Sequence, residues 1–216
     1  MKKQVLILLL AVFCASCTKE RISGSGKQVS ETRTLPAFTS VASSGSNRVH
    51  INYGQAFEVQ LRGSDNLIPH FKTDVKGEEL HLGFEDFQVS DDDIEVFVTL
   101  PAIRGVGMSG SGQVSVSGAF PLQESIDFRS SGSGHLEVSD PMQASSVSIA
   151  VSGSGKTDVQ KLRSKTADVR ISGSGDVMVA PQETLKVSIS GSGTVYYTGN
   201  PVIDSSISGS GKIIHR

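Results

Sequence analysis

Tryptophan is absent, and aromatic residues fill only 6% of the 216 positions. The apolar positions fall mostly to Val, Ile and Leu. Charge is sparse at 19% and balanced, with 20 Lys+Arg against 22 Asp+Glu and a formal net charge of -2. A nucleic-acid binder needs a basic surplus or stripe, so that class is excluded. The one N-terminal apolar run, Val5 to Phe13, is shorter than the roughly 20 residues a membrane-spanning helix requires. Cysteine is confined to Cys14 and Cys17. With no second pair, a redox or metal reading of Cys14-x-x-Cys17 has little to stand on. His50, His70, His81, His135 and His215 show no metal-ligand spacing, and no nucleophile elbow is present. No cofactor is expected.

The N-terminus sets the compartment. Lys2 and Lys3 precede the apolar run, which reads as a signal peptide over residues 1–16. The small residues Ala15 and Ser16 before Cys17 resemble a bacterial lipobox, with Cys14 standing where that pattern usually has Leu. The resemblance implies cleavage before Cys17 and lipid attachment to it, hence a membrane partner through a lipid anchor. A secreted protein with a free Cys17 is the alternative. Residues 17–27 are then expected to be a polar tether.

What the chain has in abundance is Gly (23) and Ser, about a quarter of all residues together. They are periodic. Ser-Gly-Ser-Gly begins at Ser23, Ser109, Ser131, Ser152, Ser172, Ser190 and Ser208, with a variant at Ser43 to Asn47. From Ser109 the spacings are 22, 21, 20, 18 and 18 residues. A period near 20 marks a solenoid. The flanks alternate apolar and polar, as in Val169-x-Ile171 before a motif and Val177-x-Val179 after it. Alternation means half-buried strand. The sequence therefore predicts an all-β, single-domain parallel β-solenoid (a β-helix), right-handed by the usual crossover rule. Rungs of about 18–22 residues span 101–216, and residues 28–100 form a less regular N-terminal part.

Each repeat reads as strand, corner, strand and turn, with turns at Ala119-Phe120-Pro121, Asp140-Pro141, Lys161-Leu162-Arg163, Ala180-Pro181 and Gly199-Asn200-Pro201. Glycine suits a corner where φ is positive or backbones stack. The corner glycines are Gly110, Gly112, Gly132, Gly134, Gly153, Gly155, Gly173, Gly175, Gly191, Gly193, Gly209 and Gly211. The serine hydroxyls are expected to bond to neighbouring rungs. In the N-terminal part, strands are read at Phe38 to Val41, Arg48 to Ile51, Phe57 to Leu61, Glu79 to Leu82 and Ile94 to Leu100. Ser64-Asp65-Asn66 reads as the N-cap of a helical turn, and Lys76-Gly77-Glu78 as a hairpin.

Two stretches carry a family resemblance. One is Thr32 to Phe84, with Phe38-Thr39-Ser40-Val41, Asn66-Leu67-Ile68 and Thr73 to Leu82. The other is Ile94 to Pro101 followed by Met108-Ser109-Gly110-Ser111-Gly112. Together they are similar to the "putative auto-transporter adhesin, head GIN domain" family. The resemblance implies a β-helical protein attached to the bacterial envelope, on the outer membrane, and supplies no catalytic residues. The function expected is an adhesin-like surface module for a glycan or an envelope protein, not an enzyme; the alternatives are a polysaccharide-cleaving β-helix enzyme and a purely structural envelope protein.

Several motifs compete with that reading. Ala150-x4-Gly155-Lys156-Thr157 mimics a phosphate loop, and Gly105-x-Gly107-x-x-Gly110 a dinucleotide fingerprint, but both lie in the strand repeat without a following helix. Asp91-Asp92-Asp93 with Glu95 offers oxygens for Ca²⁺ without Ca²⁺-loop spacing, and a solvated loop explains it as well. A polysaccharide-cleaving enzyme would need paired carboxylates. The outward row four residues before each motif reads Gly105, Asp127, Ser148, Asp168, Lys186, Asp204. Asp127 and Asp168 are then two rungs apart, roughly 9.6 Å, at the far end of the range for an inverting pair. Finally, the outward position three residues after each motif ends in Met178, Tyr196 and Ile214, expected to form an exposed apolar strip. With Arg216 directly after the last repeat, this C-terminal end is the expected surface for a partner or for self-association.

Overall fold

The computed structural model describes residues 20–85 and 87–216. The signal peptide and Cys17 lie outside the described residues. The chain enters through β1 (Glu20–Ser23) and β2 (Gln28–Thr34), then lays down β3 (Ser40–Gly45) and β4 (Arg48–Tyr53). Next come β5 (Glu58–Ser64), a 3-10 turn (Ile68–His70), β6 (Lys72–Lys76), β7 (Glu79–Gly83), β8 (Phe87–Ser90) and β9 (Glu95–Leu100). The regular part holds β10 (Gly105–Gly110), β11 (Gln113–Ser117), β12 (Gln123–Gly132), β13 (His135–Val138), β14 (Met142–Gly153) and β15 (Lys156–Gly173). It closes with β16 (Asp176–Gly191), β17 (Thr194–Tyr197), β18 (Val202–Gly209) and β19 (Lys212–His215). Among the described residues there is no α-helix.

The molecule is a parallel β-solenoid. Side one, before the corner, stacks β7, β3, β10, β12, β14, β15, β16 and β18 in parallel. Side two, after the corner, stacks β9, β4, β11, β13, β15, β16, β17 and β19. Register follows the repeat, so like falls on like. Val41, Val106, Phe128, Ile149, Val169 and Val187 form one buried column. Burying each such side chain is worth about 1.5–3 kcal/mol.

Two of the expected turns are not loops. β15 and β16 run through Lys161-Leu162-Arg163 and Ala180-Pro181 with rung-to-rung pairing, Met142 on Leu162 and Ser164 on Pro181. Inward side chains step by three at Val159 to Leu162 and again at Ser164 to Ala167, which marks two further corners. The solenoid therefore has a third wall, filled by buried Met142, Ala144, Leu162 and Ala180. Apolar residues at these points, rather than only Gly and Pro, make the wall part of the core.

The N-terminal part is a cap. The β3–β4 rung lies between β7–β9 and β10–β11, so the chain lays its second rung before its first. β6 then covers β7, β5 covers β9 and β2 covers β5, all antiparallel. Arg33 of β2 reaches over this lid and donates to the carbonyls of Ile68 (3.0 Å) and Phe71 (2.6 Å). Gly77 forms the expected β6–β7 hairpin with φ +66°. The helical turn exists but lacks the expected cap: Leu67 precedes it, and the Ser64 hydroxyl donates to Asp93 instead. Residues 20–27 are not a loose tether. β1 pairs with β8, and Ser25 bonds to Asp65 and Asn66. The Ser-Gly-Ser-Gly at Ser23 belongs to this tie and forms no rung corner.

At the true corners the backbone itself closes the ladder. Gly153 accepts from the Ser174 amide and Gly173 from the Ser192 amide, each at 2.9 Å. Of the ladder serines, Ser44 donates to the Leu82 carbonyl of the neighbouring rung at 3.2 Å, as expected. The hydroxyls of Ser109, Ser131, Ser152, Ser172 and Ser190 make no such bond among the described residues. They point outward and are exposed. At Gly173 φ is +122°, and a Cβ would sit 2.5 Å from the Gly153 carbonyl oxygen. Gly173→Val should therefore lower unfolding free energy by more than about 2 kcal/mol, and Ser172→Ala by no more than about 0.5 kcal/mol. Urea denaturation of the two variants checks the ranking, and a larger loss from Ser172→Ala would contradict it.

Candidate functional site: a groove along side one

On the outer face of side one the register builds three columns. Gly105, Asp127, Ser148, Asp168, Lys186 and Asp204 form the first. His81, Ala42, Gly107, Arg129, Ala150, Arg170 and Ser188 form the second. The third is the serine ladder, Ser44 to Ser208. Small residues in the second column leave the sheet uncovered. A groove of about 740 Å³ results, floored by Ala42, Gly107 and Ala150 and edged by Ser109, Ser131, Ser152 and Ser172. Arg129 and Arg170 stand in it, and Lys72, Glu79, His81 and Glu85 close its N-terminal end. From Ala42 to Ser188 the floor runs roughly 24 Å at the usual strand spacing.

The guanidiniums are held in place from within their own strands. Arg129 pairs with Asp127, and Arg170 with Asp168 at 2.6 Å. Such exposed pairs contribute little to stability, about 0–1 kcal/mol. They set the two guanidiniums two rungs apart on the same column. Asp127 and Asp168 themselves line a smaller depression of about 330 Å³ with Ser148 and Lys186. Each carboxylate is engaged by its arginine, and Ser148 separates them.

The other expected sites disperse. Met178, Tyr196 and Ile214 do stack in register. Met178, however, is only 7% exposed, and Arg216 lies over the Tyr196 ring at 4.0 Å. The continuous apolar strip is thus reduced to Ile214 and the rim of Tyr196. Thr157 of the phosphate-loop mimic is fully buried in the tube, and Lys156 pairs with Asp158. The histidines are spread out: His50 stacks on Phe97, His135 meets Glu137 and His215 meets the Gly199 carbonyl. No group able to hold a metal ion occurs among the described residues.

The aspartate run has a structural use. Asp91 accepts from Ser23 at 2.8 Å, Asp92 from Asn47 at 2.7 Å and Asp93 from the Ser64 amide and hydroxyl at 2.9 and 2.7 Å. One loop thereby pins the entry strand, the first corner and the lid. Burial pushes the Asp92 carboxyl up, and its donors only partly offset this. Burial also raises Asp93, but its bonds from Ser64 and Gln28 together hold it below the usual carboxylate range.

Sequence reasoning weighed the first column and passed over the second. Alternation of Arg with Gly or Ala at two residues before each motif was the available signal. The contribution of Ala42 and His81 was hidden, because β3 pairs with β10 across 65 residues of chain (Ser40 on Gly105).

The comparisons agree with this architecture. The model of the family described as "Putative auto-transporter adhesin, head GIN domain" matches residues 37–201. The chain belongs to this family. A "putative adhesin" from Bacteroides fragilis NCTC 9343 superposes with a TM-score of 0.72 at 19% identity, over 90% of this chain and 100% of that one. A "putative lipid binding protein" from Parabacteroides distasonis ATCC 8503 gives 0.64 at 18%, over 91% and 100%. A "putative adhesin" from Parabacteroides merdae ATCC 43184 gives 0.62 at 16%, over 91% and 99%. At these identities the likeness is one of fold. No curated protein matches. Within the head GIN fold, the cap held by the aspartate loop is open to a direct test.

Asp93 is stabilising where its folded pKa lies below the unfolded one. Its contribution is present above the unfolded value, about 3.9, and is lost as pH falls through the folded value. Asp92 has the opposite sign, favouring the fold when protonated. Asp93→Asn should cost about 1–3 kcal/mol at pH 7, with the gap to wild type narrowing on acidification. Asp92→Asn should cost less at pH 7. Urea melts at several pH values read both, and equal costs would contradict the assignment.

Proposed function

We propose that the protein is an adhesin-like binding module of the bacterial envelope, lipid-anchored through Cys17, whose groove on side one takes an extended glycan strand. The groove itself carries the reading. Its volume lies in the range of ligand sites, yet it is long, open at the side and parallel to the solenoid axis. That shape suits a linear polymer better than a compact metabolite. The serine hydroxyls edging it are free of intramolecular bonds, so they can donate to or accept from sugar hydroxyls. Arg129 and Arg170 add fixed donors two rungs apart, suited to carboxylate or sulfate groups on alternate sugars. Family membership supports a surface-binding role, and the lipobox-like Ala15-Ser16-Cys17 supports the anchor.

Cells expressing the full chain test both parts. Cys17→Ser should move the protein out of the membrane fraction. Arg129→Ala with Arg170→Ala should weaken binding of acidic glycans at least tenfold, and Ala150→Trp should block the floor, both leaving the protein membrane-bound and folded. Glycan binding that survives Ala150→Trp would sink the groove assignment. Binding of lipid vesicles but no glycan would replace the ligand class.

A further inference from the structure

The two ends of the solenoid are unlike. At the N-terminal end the rung edges of β7 and β9 are taken by β6 and β5. At the other end, among the described residues, β18 pairs in register only with β16 and β19 only with β17, which leaves their outer edges open. The eight residues of β18 are all exposed. Large apolar exposure gathers here: Val202 is 74% exposed, Ile203 40%, Ile207 43% and Ile214 38%. Their inward-facing members continue core columns, since Ile203 follows Leu185 and Ile207 follows Ile189. This end is a cut core with an open edge of backbone donors and acceptors, which proteins ordinarily cover or guard with charge. Asp204 is the only charge on β18. Arg216 and His215 are drawn back onto Tyr196 and Gly199.

We infer that the last rung is covered by the last rung of a second copy, in a two-fold, end-to-end dimer. Head-to-tail stacking would not continue the solenoid, because at the opposite end the rung edges of β7 and β9 are already taken by β6 and β5. A two-fold axis across the solenoid brings β18 against β18 of the partner antiparallel, the orientation an isologous contact requires. The sequence of β18 is self-complementary in that pairing. Ile203-Asp204-Ser205-Ser206-Ile207 reads alike in both directions about Ser205 in its inward positions. With Ser205 opposite Ser205, each Ile203 meets an Ile207 across the join, and Asp204 faces a serine rather than another carboxylate. A one-residue shift would set inward residues against outward ones and lose the match. The axis passes through side one, so both copies turn that face, and with it the proposed groove, to the same side.

The test places a cysteine on the axis. In the full chain, Ser205→Cys should form a disulfide-linked dimer on mild oxidation, since directly opposed antiparallel positions bring Cβ atoms within about 5.5 Å. Wild type, which carries no cysteine after Cys17, and Ser188→Cys, in the groove, are controls and should stay monomeric on the same gel. Ile203→Asp with Ile207→Asp should raise the dimer dissociation constant at least tenfold in sedimentation, with far-ultraviolet circular dichroism unchanged. Four results would overturn the inference. They are a monomer at tens of micromolar, no Ser205→Cys dimer, equal cross-linking of Ser188→Cys, or cross-linking of Ser205→Cys to a different protein.

Discussion

Everything in this molecule hangs on the corner at which one glycine carbonyl accepts amides from the next rung. A Cβ at that glycine would collide with the carbonyl of the rung beside it, as at Gly173 against Gly153. Where the collision is avoided, the rungs close to strand spacing and the corner becomes a register pin for both flanking sides. Once register is pinned at the corner, every second residue along side one and side two is committed to the tube. The buried valine and isoleucine columns follow, and so do the outward columns of arginine and serine. The groove is thus a by-product of the same ladder. Its floor is low because Ala42, Gly107 and Ala150 are small, and the hydroxyls of Ser109, Ser131, Ser152 and Ser172 are free because the backbone does the bonding.

How much of this was legible in the sequence depends on whether a contact is local in the repeat. Offsets of about 20 residues repeat, so Val169 on Val187 could be read from spacing alone. The family was legible through the resemblance of Thr32 to Phe84 and of Ile94 to Gly112. The third wall was misread at Lys161-Leu162-Arg163 because charged residues flank a single inward Leu162, which looks like a turn until its neighbour Met142 is in view. The cap was illegible in detail. Its strand pairs β2–β5 and β3–β7 span distances that no period announces, and β2 shows almost no burial to betray it. Asn47 illustrates the point. It occupies a corner where later rungs have glycine, and its side chain is tolerated because it reaches Asp92 in the cap rather than a glycine of another rung.

Function divides along the same lines. The tube is a ruler that sets outward side chains at fixed intervals. Asp127 and Asp168 were weighed as a carboxylate pair two rungs apart. In the fold each is ion-paired within its own strand, to Arg129 and Arg170. The aspartate loop, weighed as a cation site, instead fastens entry strand, corner and lid.

Amide hydrogen exchange tests the central claim most directly. The amides of Ser154, Ser174 and Ser192 lie at exposed, serine- and glycine-rich corners, where an ordinary turn would exchange in seconds. If glycine carbonyls close the ladder, these amides exchange as slowly as those of Val169 and Ile171 in the tube, through global unfolding alone. Fast exchange at all three corners beside a protected tube would show that the core, and not the corner, sets the register.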